Sequence, residues 1–274
     1  RVMSAASQNL TPVILELGGK DPMIVTADAD IEDAAKTAAF GGLTNAGQAC
    51  ISVERIYVDD SVHDRFVEAL VKQASRVAVG GDDESLIGPM TMERQIGIVR
   101  RHVEDALEKG ARAVFGGLDS FKGRFIHPIV LADVTPEMAI HKEETFGPVL
   151  PVVRVPNVEE AIRLANDTEY GLGSSVFAGK DGEAIARQIR AGMTAVNSVI
   201  VPTAIGSMPF GGVGDTGFGR IHGDEGLLEF VRAKSTTVKR FEVPGMGIGF
   251  QSPKKGLPVL KDLLKRVYGG TGVD

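Results

Sequence analysis

At 274 residues with 43% apolar side chains, the chain is long enough for one large or two ordinary domains with a substantial core. A net charge of −6 gives no overall positive field to draw nucleic acid, and no apolar run approaches the roughly 18 residues of a membrane helix. A single cysteine excludes an intrachain disulfide or a multi-cysteine zinc site and suits a reducing, cytoplasmic setting.

The chain starts without an initiating methionine and inside a helical pattern over residues 3–8, which predicts a piece of a longer protein. Residues 13–17 read as a short buried strand stopped by Gly18 and Gly19, and residues 22–25 as a second apolar run. Asp28 and Asp30 then offer N-caps to a helix over residues 31–40. Its Ile31, Ala34, Ala35, Ala38 and Ala39 share one face. A small-residue loop leads to Cys50. Residues 52–58 read as a strand, 62–77 as an amphipathic helix and 92–109 as a helix closed by Gly110. Strands are expected over residues 113–115, 125–131, 149–155, 174–178 and 193–197. Helices capped by Asn157 and Asp181 lie among the last three, running through residues 165 and 190.

This alternation predicts an α/β fold with a largely parallel sheet flanked by helices. Ligands gather at the carboxyl ends of strands in such sheets, and Glu16 and Cys50 lie at or near element ends. Residues 209–219 carry too much glycine for a regular element. Residues 224–232 read as a short helix. Residues 244–274 form a tail rich in glycine, proline and lysine, with an amphipathic segment over 257–267.

Two residues stand out chemically. Cys50 follows Gly47, Gln48 and Ala49 in a loop after a helix. A lone cysteine is usually a small buried hydrophobe, whereas a nucleophilic thiolate needs access and a polarising neighbour. The flanks provide room, but no histidine is adjacent. Glu16 is a charge in an apolar run, which costs several kcal/mol unless it is paired or neutralised. It reads equally as a solvent-facing strand-edge carboxylate or as a base with a raised pKa. Taken alone, Glu144 reads as a surface charge, and Phe146 and Phe210 as packing. Residues 212–217 match G-x-G-x-x-G, yet no strand precedes them and Gly219 breaks the helix that should follow. The five histidines have no metal-site spacing, so no metal is expected, and a G-x-S-x-G elbow is absent.

Together the motifs resemble the aldehyde dehydrogenase superfamily. Residues 15–20 are similar to its glutamate signature and residues 47–50 to its cysteine signature, at the usual separation. Residues 144–149 resemble its E-x-F-G-P-V motif and residues 209–212 its P-F-G-G motif. The resemblance covers about residues 10–241. It implies that Cys50 attacks an aldehyde to give a thiohemiacetal and, after hydride leaves to NAD or NADP, a thioester. Glu16 then activates the water that releases a carboxylic acid. The Cys50 N–H helps hold the oxyanion. Glu144, Phe146 and Leu17 meet the nicotinamide end of the cofactor, while Phe210, Ala49 and Ile51 shape the aldehyde site. The glutamate at position 16 favours the hydrolytic over the CoA-acylating branch.

The same resemblance divides the chain. It reads 1–16 as a remnant of a preceding cofactor-binding domain, 17–217 as the catalytic domain, 218–243 as a return and oligomerisation segment and 244–274 as a tail. Partners are a small-molecule aldehyde, no nucleic acid and a homo-oligomer in the full-length form. Lys254, Lys255, Lys261, Lys265 and Arg266, beside Leu257, Val259, Leu260 and Leu263, permit weak membrane association. The alternatives are a cofactor-independent thiol esterase, or an inactive assembly module needing a separate N-terminal half.

Overall fold

The computed structural model describes residues 1–240 and 253–268. The chain divides into one compact unit spanning Arg1–Val231 and another spanning Arg232–Asp274. The first unit begins with α1 (Val2–Ser7), β1 (Leu15–Glu16), β2 (Asp21–Val25), α2 (Ile31–Leu43), β3 (Val53–Asp59), α3 (His63–Ala74) and α4 (Glu93–Glu108). Next come β4 (Arg112–Phe115), β5 (Phe121–Lys122), β6 (Phe125–Ile126), β7 (Ile129–Ala132), α5 (Ala139–Lys142), β8 (Val149–Val155) and α6 (Val158–Asn166). It ends with β9 (Ser175–Phe177), α7 (Gly182–Ala186), β10 (Ala195–Val196), β11 (Gly217–Phe218) and α8 (Gly223–Leu228).

Seven strands form the central sheet in the order β10-β9-β2-β3-β8-β7-β4. Every neighbouring pair is parallel except β4–β7, an antiparallel edge. Side chains alternate between two cores, as the period of two requires. Met23, Val25, Ile56, Val58 and Val152 pack against α2 and α3. Ile24, Tyr57, Leu131 and Val153 pack against α4 and α6. The alanine face of α2 is buried as its pattern predicts, and Asp30 caps the helix by accepting the Asp33 N–H at 3.1 Å. Asn157 caps α6 in the same way through the Glu160 N–H at 2.9 Å.

Several expected elements differ. Residues 13–17 do not form a buried strand: only Leu15 and Glu16 are extended, and they are half-buried. They pair with β11 outside the main sheet. The stretch 125–131 splits at Pro128, which cannot donate to a ladder. β6 therefore pairs with β5, while β7 joins the sheet. The helix after Asp181 ends at Ala186, and Asp181 is left-handed at φ 55° with no side-chain cap bond. Asp28 caps no helix and instead accepts the Gly179 and Lys180 amides at 3.1 and 3.0 Å.

The sequence motifs also gather at the other end of the sheet from the one expected. Gly18 to Lys20 precede β2, Cys50 precedes β3, and Glu144 to Pro148 precede β8. These are the amino ends of parallel strands, and that edge presents free backbone N–H groups. Three carboxylates take them: Glu54 from Thr145 and Phe146, Glu144 from Gly19, and Asp21 from Gly173.

In the second unit, a helix α9 (Pro253–Tyr268) covers the expected amphipathic segment. The last residues of the expected return segment, 241–243, and the parts of the expected tail over 244–252 and 269–274 lie outside the described residues. No helix among the described residues is long and apolar enough to cross a membrane.

Candidate active site

Glu16 is held by the β1–β11 pairing opposite Gly217, and the next amide, Leu17 N–H, donates to the Thr216 carbonyl at 3.0 Å. Both Glu16 oxygens are buried and have no hydrogen-bond partner among the described residues. Burial pushes the carboxyl above its ordinary value, and the Arg220 guanidinium pulls it partly back. A Cβ on Gly211 would lie 3.0 Å from Glu16 Oε1. The glycine of the P-F-G-G motif thus leaves the space that the carboxylate fills.

Cys50 sits in the turn between α2 and β3. Asn45, Ala46 and Gly47 before it are all left-handed, at φ 53°, 57° and 70°. Such a run stores backbone strain of about 1–3 kcal/mol per non-glycine residue and persists only where surroundings fix it. Gln48 does much of that fixing. Its Oε1 accepts the Thr91 N–H at 2.7 Å, and its Nε2 donates to the Asn45 carbonyl at 2.9 Å. A Cβ at Gly47 would lie 2.2 Å from the Gly147 carbonyl oxygen, so the cysteine and E-x-F-G-P-V motifs touch backbone to backbone.

The Cys50 thiol is free and half-buried. With Ile51 and Ile221 it packs against Leu172, Met193 and Phe210. Burial, then the charges of Asp21 and Glu16, push the thiol up, while the amides of Cys50 and Ile51 draw it down. The resting sulfur at neutral pH is therefore a protonated thiol that must lose its proton before it can attack.

Glu144 Oε1 accepts the Gly19 N–H at 3.0 Å. A Cβ on Gly18 would come within 2.6 Å of its Oε2. Glu144, Leu17, Tyr170, Asp215 and Phe218 line an open cleft of ≈ 500 Å³. The structure thus brings Cys50, Ile51 and Phe210 into one apolar cluster, with Glu16 against Gly211 beside it, and places Glu144 and Leu17 in one cleft. Phe146 lines neither; its left-handed backbone (φ 48°) instead presents its amide to Glu54. Ala49 is half-buried and its carbonyl closes the turn onto the Ser52 N–H at 3.0 Å. No group of three or more potential metal ligands is found among the described residues.

The sequence profile described as "Aldehyde dehydrogenase family" matches residues 1–236. The chain belongs to the aldehyde dehydrogenase family. It is 42% identical over 270 residues to the 4,4'-diapolycopene aldehyde oxidase of Methylomonas sp, covering 98% of this chain and 51% of that protein. It is 40% identical over 255 residues to the succinate-semialdehyde dehydrogenase [NADP(+)] of Deinococcus radiodurans, covering 89% and 53%. Among solved structures, the salicylaldehyde dehydrogenase of Pseudomonas putida G7 complexed with salicylaldehyde is similar at a TM-score of 0.84 and 37% identity, over 88% of this chain and 50% of that one. The lactaldehyde dehydrogenase of Escherichia coli follows at 0.80 and 36%, over 84% and 49%. The chain spans about half the length of the curated relatives it matches.

In this family member a buried polar network that the sequence reading passed over supports the site. Lys20 and Glu54 pair at 2.5 Å with almost no exposure. Lys20 Nζ also donates to Thr145 Oγ1 at 3.2 Å, and Glu54 accepts the Thr145 and Phe146 amides at 2.8 and 2.7 Å. Arg55, 1% exposed, donates to the carbonyls of Lys20, Leu164 and Ala165 at 2.9–3.1 Å. Burial pushes Tyr57 up to about 12 and His141 down to about 3, so both stay neutral in their mutual 2.9 Å hydrogen bond. One signal could have found these residues. Glu54 and Arg55 are opposite charges inside a strand that is otherwise apolar up to Asp59 apart from them, the same anomaly that marked Glu16.

Proposed function

We propose that this chain carries the chemistry of aldehyde oxidation to a carboxylic acid. The Cys50 thiol gives its proton to solvent, and the thiolate Sγ attacks the aldehyde carbon to form a thiohemiacetal oxyanion, with the Cys50 N–H donating to that oxygen. The resulting thiohemiacetal gives up a hydride and becomes a thioester on Cys50. Glu16, in its ionised form, takes a proton from water, which attacks the thioester and frees the acid and the thiol. The observation that carries this reading is Glu16 itself: a buried carboxylate with two unpartnered oxygens, whose charge reaches the only thiol in the chain.

A bound NAD or NADP supplies the hydride acceptor, in keeping with the NADP(+) in the names of several relatives. The residues present fit its nicotinamide-ribose end. Glu144 borders the cleft with one oxygen engaged by Gly19 and the other available to a ribose hydroxyl, and Leu17 lies beside it. We assign Phe146 to that end as well, and Phe210, Ala49 and Ile51 to the aldehyde side. Leu172, Met193 and Phe210 pack on Cys50, which favours an apolar aldehyde. Within this reading, residues 1–16 are a remnant of a preceding cofactor-binding domain, 17–217 form the catalytic domain and 218–243 a return and oligomerisation segment through which copies of the full-length protein associate.

The test uses a p-nitrophenyl ester of an apolar acid, which acylates the nucleophile without cofactor. Intact-mass and peptide analysis of acid-quenched samples should place the acyl group on Cys50, and hexanal-dependent reduction of NADP should be lost in Cys50→Ala. An adduct confined to other residues sinks the assignment.

We also propose that α9 associates with anionic bilayers. Leu257, Leu260, Leu264 and Val267 are exposed along one side of it, while Lys261, Lys265 and Arg266 fall on another. Asp262 offsets only Arg266, at 3.0 Å. The chain should co-sediment with phosphatidylglycerol vesicles and release at high salt, and Leu260→Asp with Leu264→Asp should abolish the binding. Equal binding to neutral vesicles would contradict the electrostatic part.

A further inference from the structure

Asp21, the first residue of β2, is 5% exposed, and the reaction proposed above does not use it. Its Oδ1 accepts the Gly173 N–H at 3.0 Å. A Cβ placed on Gly19 would lie 3.0 Å from that same oxygen, 2.3 Å from the Cys50 carbonyl oxygen and 3.4 Å from Leu172 Cβ. The Asp21 carboxyl and the Cys50 backbone therefore abut one face of Gly19. The loop that Asp21 grips carries Leu172, one of the side chains packed on Cys50. Asp21 and Ile51, the neighbour of the sulfur, also wall the same small cavity of ≈ 20 Å³. Asp21 is thus joined to the nucleophile's turn from two sides, through Gly19 and through the 172–173 loop.

We propose that Asp21 is a positioning residue for the nucleophile: as a neutral acid it latches the 172–173 loop against Cys50, and on ionising it opposes ionisation of the thiol. The charged groups around the pair are few. Glu54, Arg55 and Glu144 act on Asp21, and burial outweighs them and the Gly173 bond to drive its carboxyl up to about 8. Cys50 feels Asp21 and then Glu16, after burial, and Arg220 acts on Glu16. The sign follows from these positions. Below pH 8 Asp21 holds its proton and places no charge beside the sulfur. Above pH 8 it turns negative in the range where the thiol begins to ionise, so each step up in pH yields less thiolate than an isolated thiol would give. The consequence for turnover, a brake on the nucleophile at alkaline pH, rests on the reading of Cys50 given above. The coupling itself does not.

Alkylation by iodoacetamide reads the thiolate directly, and Cys50 is the sole cysteine of the chain, so one mass increment reports it. Asp21→Asn keeps a carbonyl acceptor for Gly173 and removes the charge. Wild type and Asp21→Asn should alkylate at the same rate near pH 7 and separate above pH 8. By pH 9.5 the variant should lead by roughly three- to tenfold, because it lacks the negative charge that holds the thiol up in the wild type. A variant changed by one constant factor at every pH reports a packing role alone and overturns the proposal, as do coincident profiles. Should the variant not fold, the wild type decides alone. Its rate should rise with pH more gradually than any single-proton titration curve followed to its plateau, and a profile that one proton fits overturns the coupling. No aldehyde or cofactor enters the assay, so its failure is separable from failure of the dehydrogenase reading.

Discussion

Changing Glu16 to glutamine is expected to leave Cys50 able to accept an acyl group and nearly unable to release it. General-base assistance is worth about 10²–10⁴ in rate, and the amide of glutamine cannot take a proton from water. With a p-nitrophenyl ester the variant should show a burst of one p-nitrophenolate per chain, followed by steady release slowed by about that factor. Cys50→Ala should show neither burst nor adduct. The substitution should not weaken the fold. Burial already favours the uncharged form of Glu16, and glutamine is a neutral side chain of the same shape. The same burial sets the pH behaviour. Because the Glu16 carboxyl lies above its ordinary value, release by the wild type should fall as pH drops through that raised range, at higher pH than an exposed glutamate would give. Unchanged steady turnover in Glu16→Gln would remove Glu16 from the reaction.

Much of the architecture was legible because long elements carry their own periodicity. The alanine face of α2 and the apolar run of β8 bury what their spacing says they should, and in α3 Phe66, Leu70 and Ala74 are buried while Val67 and Val71 are half-buried. The short pieces were not legible. Leu15 and Glu16 look like part of a buried strand, yet their partner is two residues of a glycine-rich stretch some 200 positions away, and nothing local encodes that pairing. The glutamate and cysteine motifs were visible as anomalies and by resemblance. Their meeting depends on close approaches at Gly18, Gly19, Gly47 and Gly211, where the informative feature is a missing side chain. The end of the sheet was misjudged because the carboxyl-end rule concerns ligands bound at helix N-termini. Here protein carboxylates collect the N–H groups at the strand starts. Lys20 and Asp21 stay hidden because a charged residue near a turn ordinarily faces water.

The hidden network yields the second large expectation. Glu54→Gln should destabilise the first unit by about 3–5 kcal/mol, the usual cost of removing one member of a buried ion pair. Lys20 is fully enclosed, and burial already holds its ammonium below the ordinary lysine value despite the pull of Glu54. Without that carboxylate the ammonium is left with Thr145 Oγ1, and glutamine can accept fewer of the Thr145 and Phe146 amides while adding a donor of its own. The sign with pH is fixed. The unfolded chain binds the lysine proton more tightly than the folded one, so the deficit relative to wild type should be largest at acid pH and narrow as pH rises. Urea midpoints at pH 6 and pH 9 measure both effects. Lys20→Met added to Glu54→Gln should recover part of the loss, because it removes the stranded charge. Phe146 and Glu144 belong to the loop that Glu54 pins, so the single variant should also lose the ordered Gly19–Glu144 contact. A variant as stable as wild type, with the deficit flat in pH, would mean that the pair is dispensable and that packing around Gly147 alone holds the loop.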